Sequence, residues 1–327
     1  MALTDLPLEE LWAYRPEVAE PEGFGDFWAK TLAEARASAA GPAEYRRLTN
    51  SPLRTVDAYD VRFSGWGGQP VAAWLLLPRA VSGPLPAVVS YIGYSGGRGL
   101  HTEQLLWSAA GYAHLVVDSR GQGHATPDPD PVPEPQYYRG LMTRGIDSPE
   151  HYYYRRLMTD CVRAVDALRE HPAVDPDRVI VSGASQGGGL ALATAGLAGD
   201  AVAAALIDVP FLCHFRRGAE CATLGPYPEI VAYLSEHTRT DPAPVFRTLA
   251  HFDGLHFAPR ATAPALFSVG LMDPVCPPST VFAAYHRYAG QKDLTVWEFG
   301  DHGGGRGSQP EEQLRWLAGR GLEGGGS

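Results

Sequence analysis

The chain has little cysteine, no long apolar run and no excess of positive charge. Its four cysteines, among 327 residues, are scattered without a C-x-x-C pair, so we expect free thiols and a reducing cytoplasm rather than a disulfide framework. The sequence contains no stretch of about 18 apolar residues, so no membrane span is expected. The N-terminus has no basic region followed by an apolar core, so no signal peptide is expected. A net charge of -10 argues against a nucleic-acid partner.

One stretch carries a pattern typical of catalysis. The β-branched run at 179–181 leads into the G-x-S-x-G motif at 183–187, and a helix-forming segment of small apolar residues follows from Leu190. Strand, sharp turn and helix with a serine at the apex indicate the nucleophile elbow of an α/β-hydrolase. The turn requires strained backbone at Ser185, and glycines two positions away leave room for it. We therefore interpret Ser185 as a nucleophile.

A second match to the same motif shows how weak the motif is by itself. Residues 93–97 also follow an apolar run, but Arg98 and Gly99 come next and no apolar helical segment follows directly. Ser95 is therefore interpreted as a loop serine. The alternative for Ser185 is an ordinary turn entering a helix, and the flanking strand and the partner residues below disfavour it.

Strand-like and helix-like segments alternate along most of the chain. This rhythm predicts an α/β fold, a mostly parallel doubly wound sheet of the α/β-hydrolase type, in one domain over 1–320. Two strand-like runs within 54–77, separated by a glycine-rich turn, indicate an antiparallel hairpin. Three segments are expected to depart from the rhythm: a helical N-terminal extension over 1–50, a cap-like helical insertion over 210–260 before the strand that bears the acid, and a flexible tail over 321–327.

A serine hydroxyl needs a base, and in this fold the acid and the histidine follow the serine along the chain. The strand run 265–269 leads to Asp273, and the run 294–299 leads to His302. We predict that Ser185 attacks an acyl carbonyl, that His302 moves the proton, and that Asp273 orients His302. Asp301 is a rival acid beside the histidine. Asp208, which ends another strand, is the runner-up to Asp273.

The tetrahedral intermediate needs hydrogen-bond donors. The N–H of Gln186, directly after the nucleophile, is one candidate, and the N–H of Tyr94 in the loop at 93–97 is the other. The simple alternative for that loop is a tight turn. No H-x-x-x-H spacing supports a metal-dependent deacetylase, so neither a metal nor another cofactor is expected.

Taken together, these residues resemble carbohydrate esterase family seven, the acetyl xylan esterase and cephalosporin C deacetylase family. The likeness rests on Arg-Gly-Gln at 120–122, the elbow at 183–187, Asp273 and His302. It extends to blocks at 5–11, 93–99, 208–215 and 267–273. The family usually has glutamate after the histidine, where this chain has Gly303.

The resemblance implies a metal-free α/β-hydrolase that removes acetyl groups from small oxygen esters, such as acetylated xylo-oligosaccharides and cephalosporin C. It implies Ser185, Asp273 and His302 as the triad, and Tyr94 and Gln186 as oxyanion donors. It also implies a homohexamer, a trimer of dimers with enclosed active sites, and Gly303 weakens that expectation more than the catalytic one.

Three other functions compete with this interpretation. A peptidase of this fold usually carries a separate large domain, whereas only about 50 residues interrupt the sheet here. A longer-chain esterase would require a more continuously apolar lid. A non-catalytic hydrolase-fold binding subunit would not need an intact serine, acid and histidine.

Overall fold

A single mostly parallel sheet runs through the part of the chain that the computed structural model describes, which is residues 5–81, 83–129, 140–238 and 241–325. Its nine strands are β1 (Glu44–Arg47), β2 (Val56–Ser64), β3 (Pro70–Pro78), β4 (Leu85–Tyr91), β5 (Ala113–Val117), β6 (Val174–Ala184), β7 (Ala204–Asp208), β8 (Ala265–Gly270) and β9 (Lys292–Trp297). They are ordered β1-β2-β3-β5-β4-β6-β7-β8-β9. All pairs from β5 to β9 are parallel. The predicted α/β sheet is confirmed.

The first three strands form an antiparallel edge. β2 and β3 make the predicted hairpin, with Val56 opposite Pro78 and Ser64 opposite Pro70. β1 was not predicted, because residues 1–50 were expected to be helical. It lies at the sheet edge with its residues mostly exposed, so its sequence lacks the apolar alternation that reveals a half-buried strand.

Helices cover both faces of the sheet. They are α1 (Leu8–Ala13), α2 (Phe24–Ala37), α3 (Leu106–Ala109), α4 (Tyr153–Arg169), α5 (Gln186–Ala198), α6 (Phe215–Cys221), α7 (Tyr227–Tyr233), α8 (Ala243–Ala250), α9 (Gly254–Phe257), α10 (Pro278–Arg287) and α11 (Ser308–Ala318). Alternate strand residues point to opposite faces. Val89 of β4 therefore belongs to the large core shared with α4 and α5, whereas Val88 packs with Trp107 of α3 and Leu317 of α11.

The N-terminal extension packs against the insertion. The apolar face of α2 buries Phe24, Trp28 and Leu32, which are spaced four residues apart and so lie along one side of the helix. The indole N–H of Trp28 donates to the carbonyl of His251 at 2.9 Å, and its ring meets Phe252 edge-on. These contacts attach α2 to the helices between β7 and β8.

The segment from 210 to 260 lies between two neighbouring parallel strands of the sheet. Its described part contains α6 to α9 and a π-helical turn, Leu234–Thr238. In α9, Phe257 contacts α5 so closely that a Cβ on Gly196 would lie 2.6 Å from its carbonyl oxygen. The insertion is therefore built onto the helix that follows the elbow.

The C-terminal segment is hydrogen-bonded to the rest of the protein as far as Gly325. The Tyr112 hydroxyl donates to the carbonyl of Leu322 at 2.8 Å, and Gly325 N–H donates to the carbonyl of Gly111 at 3.0 Å. The flexibility of residues 321–327 stays a prediction from the glycine-rich composition. Residues 326–327 lie outside the described residues.

Two further observations concern possible membrane-spanning helices and the loop between β5 and α4. No helix within the described ranges is long and apolar enough to cross a membrane. The loop between β5 and α4 is described at 125–129 and 140–150, where it consists of turns, bends and irregular backbone. Its middle lies outside the described residues.

Buried His114 makes stability depend on pH. Its Nδ1–H donates to the carbonyl of Gln104, its Nε2 accepts from the Ser90 hydroxyl, and burial lowers its pKa to about 4. The unfolded chain binds this proton near pH 6.5, so the contribution of His114 is complete above pH 6.5 and is lost as the pH falls toward 4. Between pH 7 and pH 5 we expect a loss of about 2 kcal/mol from this residue.

The variant His114→Gln removes that contribution. Urea denaturation at pH 7 and pH 5 would show a difference in unfolding free energy about 2 kcal/mol smaller than in the wild type. A variant of exposed His124, His124→Gln, serves as control and keeps the wild-type pH dependence. An unchanged pH dependence in His114→Gln would contradict the assignment of a neutral buried imidazole.

Candidate active site

The turn after β6 places Ser185 at the carboxyl edge of the sheet. Ser185 has φ 58° and ψ -120°, a backbone conformation that residues other than glycine rarely adopt. A Cβ on Gly183 would lie 2.4 Å from the Gly187 carbonyl carbon, and one on Gly187 would lie 2.2 Å from the carbonyl oxygen of Tyr91. Both glycines are required by close backbone contact, as the sequence predicts.

The three residues predicted as the triad meet at this edge. His302 Nε2 lies 2.9 Å from Ser185 Oγ, and His302 Nδ1 lies 2.8 Å from Asp273 Oδ2. The ionised carboxylate accepts from Nδ1–H, so Nε2 is free to accept the serine proton. The other oxygen of Asp273 accepts the N–H groups of Val275 and Cys276 at 2.8 and 3.0 Å, which hold the buried carboxylate in place.

The rival residues have other hydrogen-bond partners. The Asp208 carboxylate accepts from the Ser268 hydroxyl and from the side-chain amides of Gln309 and Gln313, at 2.6–2.8 Å. Burial raises the pKa of Asp208 to about 6, and its partners attach α11 to the sheet. Asp301 pairs with Arg306 at 2.9 Å, and Ser95 donates its N–H to Gln122 at 2.7 Å. Within the described residues, the side chains of these three residues make no hydrogen bond to Ser185, His302 or Asp273, although the backbone carbonyl of Asp208 accepts the Ser185 N–H at 3.0 Å.

The two backbone N–H groups predicted as oxyanion donors belong to segments next to the elbow. Gln186 begins α5, and Tyr94 lies in the loop after β4, the strand paired with β6. Among the described residues, neither N–H donates to another protein group. The Gln186 side chain reaches across and donates to the carbonyl of Ile92 at 3.1 Å, which holds the loop against the elbow.

Gln122, from the Arg-Gly-Gln stretch, joins the loop and the elbow. Its side-chain amide pairs reciprocally with that of Gln186 at 2.8 and 3.2 Å, and its Oε1 also accepts the N–H of Ser95. Neighbouring Arg120 forms a buried bidentate ion pair with Asp160 of α4. In the sequence this stretch contributes to the family resemblance only, because a glutamine offers no local signal that would indicate a site role.

An open cavity of about 520 Å³ borders Ser185 and His302. Its walls also include Gly93 of the oxyanion loop, Trp107 of α3 and Gln313 of α11. This volume falls in the range of small-molecule sites. The reacting groups are therefore open to a small ligand rather than sealed in the interior.

The same place contains a set of possible metal ligands. Asp273, Cys276 and His302 offer donor atoms within 4.8 Å of one another. However, Asp273 and His302 are hydrogen-bonded to each other, and burial raises the pKa of the Cys276 thiol well above its ordinary value. A metal such as zinc is bound by the thiolate, so a protonated thiol is a poor ligand. The arrangement of these side chains therefore suits a hydrogen-bonded triad better than a metal site.

Comparison with known proteins identifies the family. The family model for acetyl xylan esterase (AXE1) matches residues 1–320. The chain belongs to the acetyl xylan esterase family. This is a family of carboxylic ester hydrolases, and the resemblance and fold predicted from the sequence are confirmed.

The relatives of this family member agree with that assignment. A solved acetyl xylan esterase from Paenibacillus sp. R4 superposes with a TM-score of 0.91 at 39% identity, covering 96% of this chain and 99% of that one. Acetyl xylan esterase 1 from Thermoanaerobacterium sp. JW/SL YS485 gives 0.87 at 32% identity, covering 97% and 98%. The acetyl esterase Axe7A of Xylanibacter ruminicola is 27% identical over 88% of this chain, which spans 65% of that protein.

Beyond the family, the likeness is one of fold. An acylaminoacyl peptidase from Pyrococcus horikoshii superposes with a TM-score of 0.57 at 16% identity, covering 83% of this chain and 42% of that one. At this identity the similarity shows a shared α/β-hydrolase fold and carries nothing about activity.

Gly303 lies outside the triad contacts of this esterase-family chain. It is exposed, and a Cβ there would meet Asp301 Oδ1 at 3.0 Å and Arg306 Cγ at 3.3 Å. A side chain at this position would therefore touch the Asp301–Arg306 pair on the surface. The departure from the family pattern leaves His302 with both of its partners.

The two candidate acids can be separated by mutation. We expect Asp273→Asn to lower kcat on 4-nitrophenyl acetate by about 10⁴, because the amide no longer holds the imidazole in the required tautomer. Asp208→Asn should keep kcat within about tenfold. The Asp208→Asn variant should have an unfolding free energy about 1–3 kcal/mol lower, because the new side-chain NH₂ group would face the NH₂ groups of Gln309 and Gln313. Loss of activity in Asp208→Asn with near-normal activity in Asp273→Asn would reverse the assignment.

Proposed function

We propose that this protein is a serine esterase that removes acetyl groups from small oxygen esters through an acyl-enzyme intermediate. The observation that carries the proposal is the continuous hydrogen-bond chain from Ser185 Oγ through His302 to buried Asp273, with contacts of 2.9 and 2.8 Å. Such a chain is the arrangement by which a serine is activated for acyl transfer. The names of the relatives, acetyl xylan esterase and acetyl esterase, support an acetyl ester as substrate.

The geometry supports the following proposed roles. Ser185 Oγ attacks the ester carbonyl while His302 Nε2 takes the serine proton. The N–H groups of Tyr94 and Gln186 donate to the carbonyl oxygen as it becomes negative, and the positive end of α5 adds to this stabilisation. His302 then gives the proton to the leaving alcohol, and Asp273 stabilises the imidazolium in between. Water, deprotonated by His302, hydrolyses the acetyl ester on Ser185 and restores the enzyme.

The proposal extends to substrates and organisation. We propose acetylated xylo-oligosaccharides and cephalosporin C as substrates, since both carry small acetyl esters and the cavity beside Ser185 is of small-molecule size. We propose one catalytic domain over 1–320, with the insertion at 210–260 as a cap, which the packing of α9 on α5 supports. Four free cysteines, three of them buried, support a cytoplasmic location.

Chain-length preference tests the proposed substrate class. We expect 4-nitrophenyl acetate to be hydrolysed faster than the octanoate, and Ser185→Ala to lower kcat by at least about 10⁴, as in other serine hydrolases. A chelator should have no effect. Acetate release from acetylated xylo-oligosaccharides and from cephalosporin C then distinguishes the natural ester.

The same assay can contradict the proposal in two ways. Preference for octanoate would indicate a longer-chain esterase. Absence of any Ser185-dependent hydrolysis would indicate a peptidase or a non-catalytic subunit, and loss of activity with the chelator would indicate a metal-dependent deacetylase.

We also propose a homohexamer, which the family resemblance supports. Large apolar side chains remain exposed on the single chain, including Trp12, Leu224 and Phe299 at 43, 57 and 78% exposure. Contacts between copies would remove such surface from water. Light scattering coupled to size exclusion should give six times the chain mass of 35.2 kDa. A mass equal to one chain would contradict both the hexamer and an enclosed cavity as the basis of specificity.

A further inference from the structure

Glu229 connects the insertion to the oxyanion loop. It lies on α7, and both of its carboxylate oxygens are 2.9 Å from the hydroxyl oxygen of Tyr94. The two residues are 135 positions apart in the chain. The contact therefore joins the cap-like segment to the residue whose backbone N–H is a proposed oxyanion donor.

The same pair of side chains receives two backbone donors. Leu141 N–H donates to Tyr94 Oη at 2.7 Å, and Met142 N–H lies 3.3 Å from Glu229 Oε2. Gly140 has φ +84°, and a Cβ there would lie 1.9 Å from Glu229 Oε2. Three separate segments, the loop after β4, helix α7 and residues 140–142, thus meet at one tyrosine and one carboxylate.

Other contacts already hold the remainder of the oxyanion loop. Gln186 binds the carbonyl of Ile92, and Gln122 binds the N–H of Ser95. Tyr94 lies between these two points, and its phenol provides the attachment on the insertion side. Without that attachment, the peptide of Tyr94 is held only by its chain neighbours and by the packing of its ring against the core, including Phe211.

A carboxylate suits this position better than an amide. Its two oxygens can accept hydrogen bonds from the phenol and from the Met142 N–H together. A glutamine has one acceptor oxygen, and its NH₂ group would face one of these donors. Burial raises the pKa of both Glu229 and Tyr94, and the contact between them contributes in the same direction for Tyr94. The phenol thus remains protonated and donates to the carboxylate.

We propose that Glu229 is a positioning residue for the oxyanion site, which holds the Tyr94 N–H toward Ser185 through the Tyr94 hydroxyl. The inference rests on the proposed serine-esterase function. The N–H bonds most strongly to an oxygen that carries developing charge, so its misplacement raises the barrier of the chemical step more than it weakens substrate binding.

The experiment compares four variants on 4-nitrophenyl acetate: Tyr94→Phe, Glu229→Gln, the double variant, and the control Glu220→Gln. Glu220 lies in the same insertion, half-exposed and paired with Arg216. Complete loss of an oxyanion donor costs about 10²–10³ in kcat, and here the N–H is displaced rather than removed, so we expect about tenfold for each single variant. KM should stay within about twofold, and Glu220→Gln should match the wild type.

Two further measurements, the activity of the double variant and the affinity for an inhibitor, distinguish positioning from a purely structural role, which would not change both together. If both residues act through one hydrogen bond, the double variant loses no more activity than the worse single variant. A trifluoromethyl ketone, which forms a tetrahedral adduct on a serine, should bind the two single variants about tenfold more weakly, in parallel with kcat. Tyr94→Phe retains the ring, so it tests the contact even if Glu229→Gln folds poorly.

Several results would overturn the inference. One is a wild-type kcat in both the Glu229→Gln and the Tyr94→Phe variant. Another is a double variant whose loss of kcat is the product of the two single losses. A third is a raised KM in the single variants with unchanged kcat and inhibitor affinity. The proposed function fails separately, and takes this inference with it, if the wild type shows no hydrolysis that Ser185→Ala abolishes.

Discussion

The contact between the backbones of Gly183 and Gly187 controls the position of the nucleophile. With a Cβ at 183 only 2.4 Å from the carbonyl carbon of residue 187, no larger residue fits without moving β6 or α5. The chain reverses so tightly that Ser185 takes φ 58°. Backbone hydrogen bonds from Ser185 N–H to Asp208 and from Phe211 N–H to Ser185 hold this conformation at 3.0 and 2.9 Å. Strain at one residue is thus sustained by the surrounding sheet.

The rest of the site depends on that reversal. Because Gly187 approaches the carbonyl of Tyr91, the end of β4 and the start of α5 are in contact, so the two segments that carry the proposed oxyanion donors are neighbours. His302 reaches the serine from the other end of the sheet, after β9, where α11 is attached through Asp208. A parallel sheet brings together the carboxyl ends of strands that are far apart in the chain, which is why such sites form there.

Three carboxylates near the site differ in role because their partners differ. Asp273 faces an imidazole and can stabilise its charge, whereas Asp208 faces one hydroxyl and two amides, so burial is not offset by a cation and its pKa rises to about 6. Glu229 faces a phenol and a backbone N–H. The chemical group is the same in each case. The neighbouring donors decide whether it orients a base, attaches a helix or, as we propose, holds a loop.

The sequence by itself determined what local pattern controls: the hairpin of β2 and β3, the strand-turn-helix around Ser185, and the placement of Asp273 and His302 directly after strands. These depend on residues within about ten positions of one another, where periodicity and turn chemistry act. Only the tertiary structure decided the partners of Asp208, Gln122 and Glu229, and the pairing of exposed β1. The Tyr94–Glu229 contact spans 135 positions, and no local preference specifies which distant donor a buried carboxylate meets, because that depends on how the insertion packs on the finished sheet.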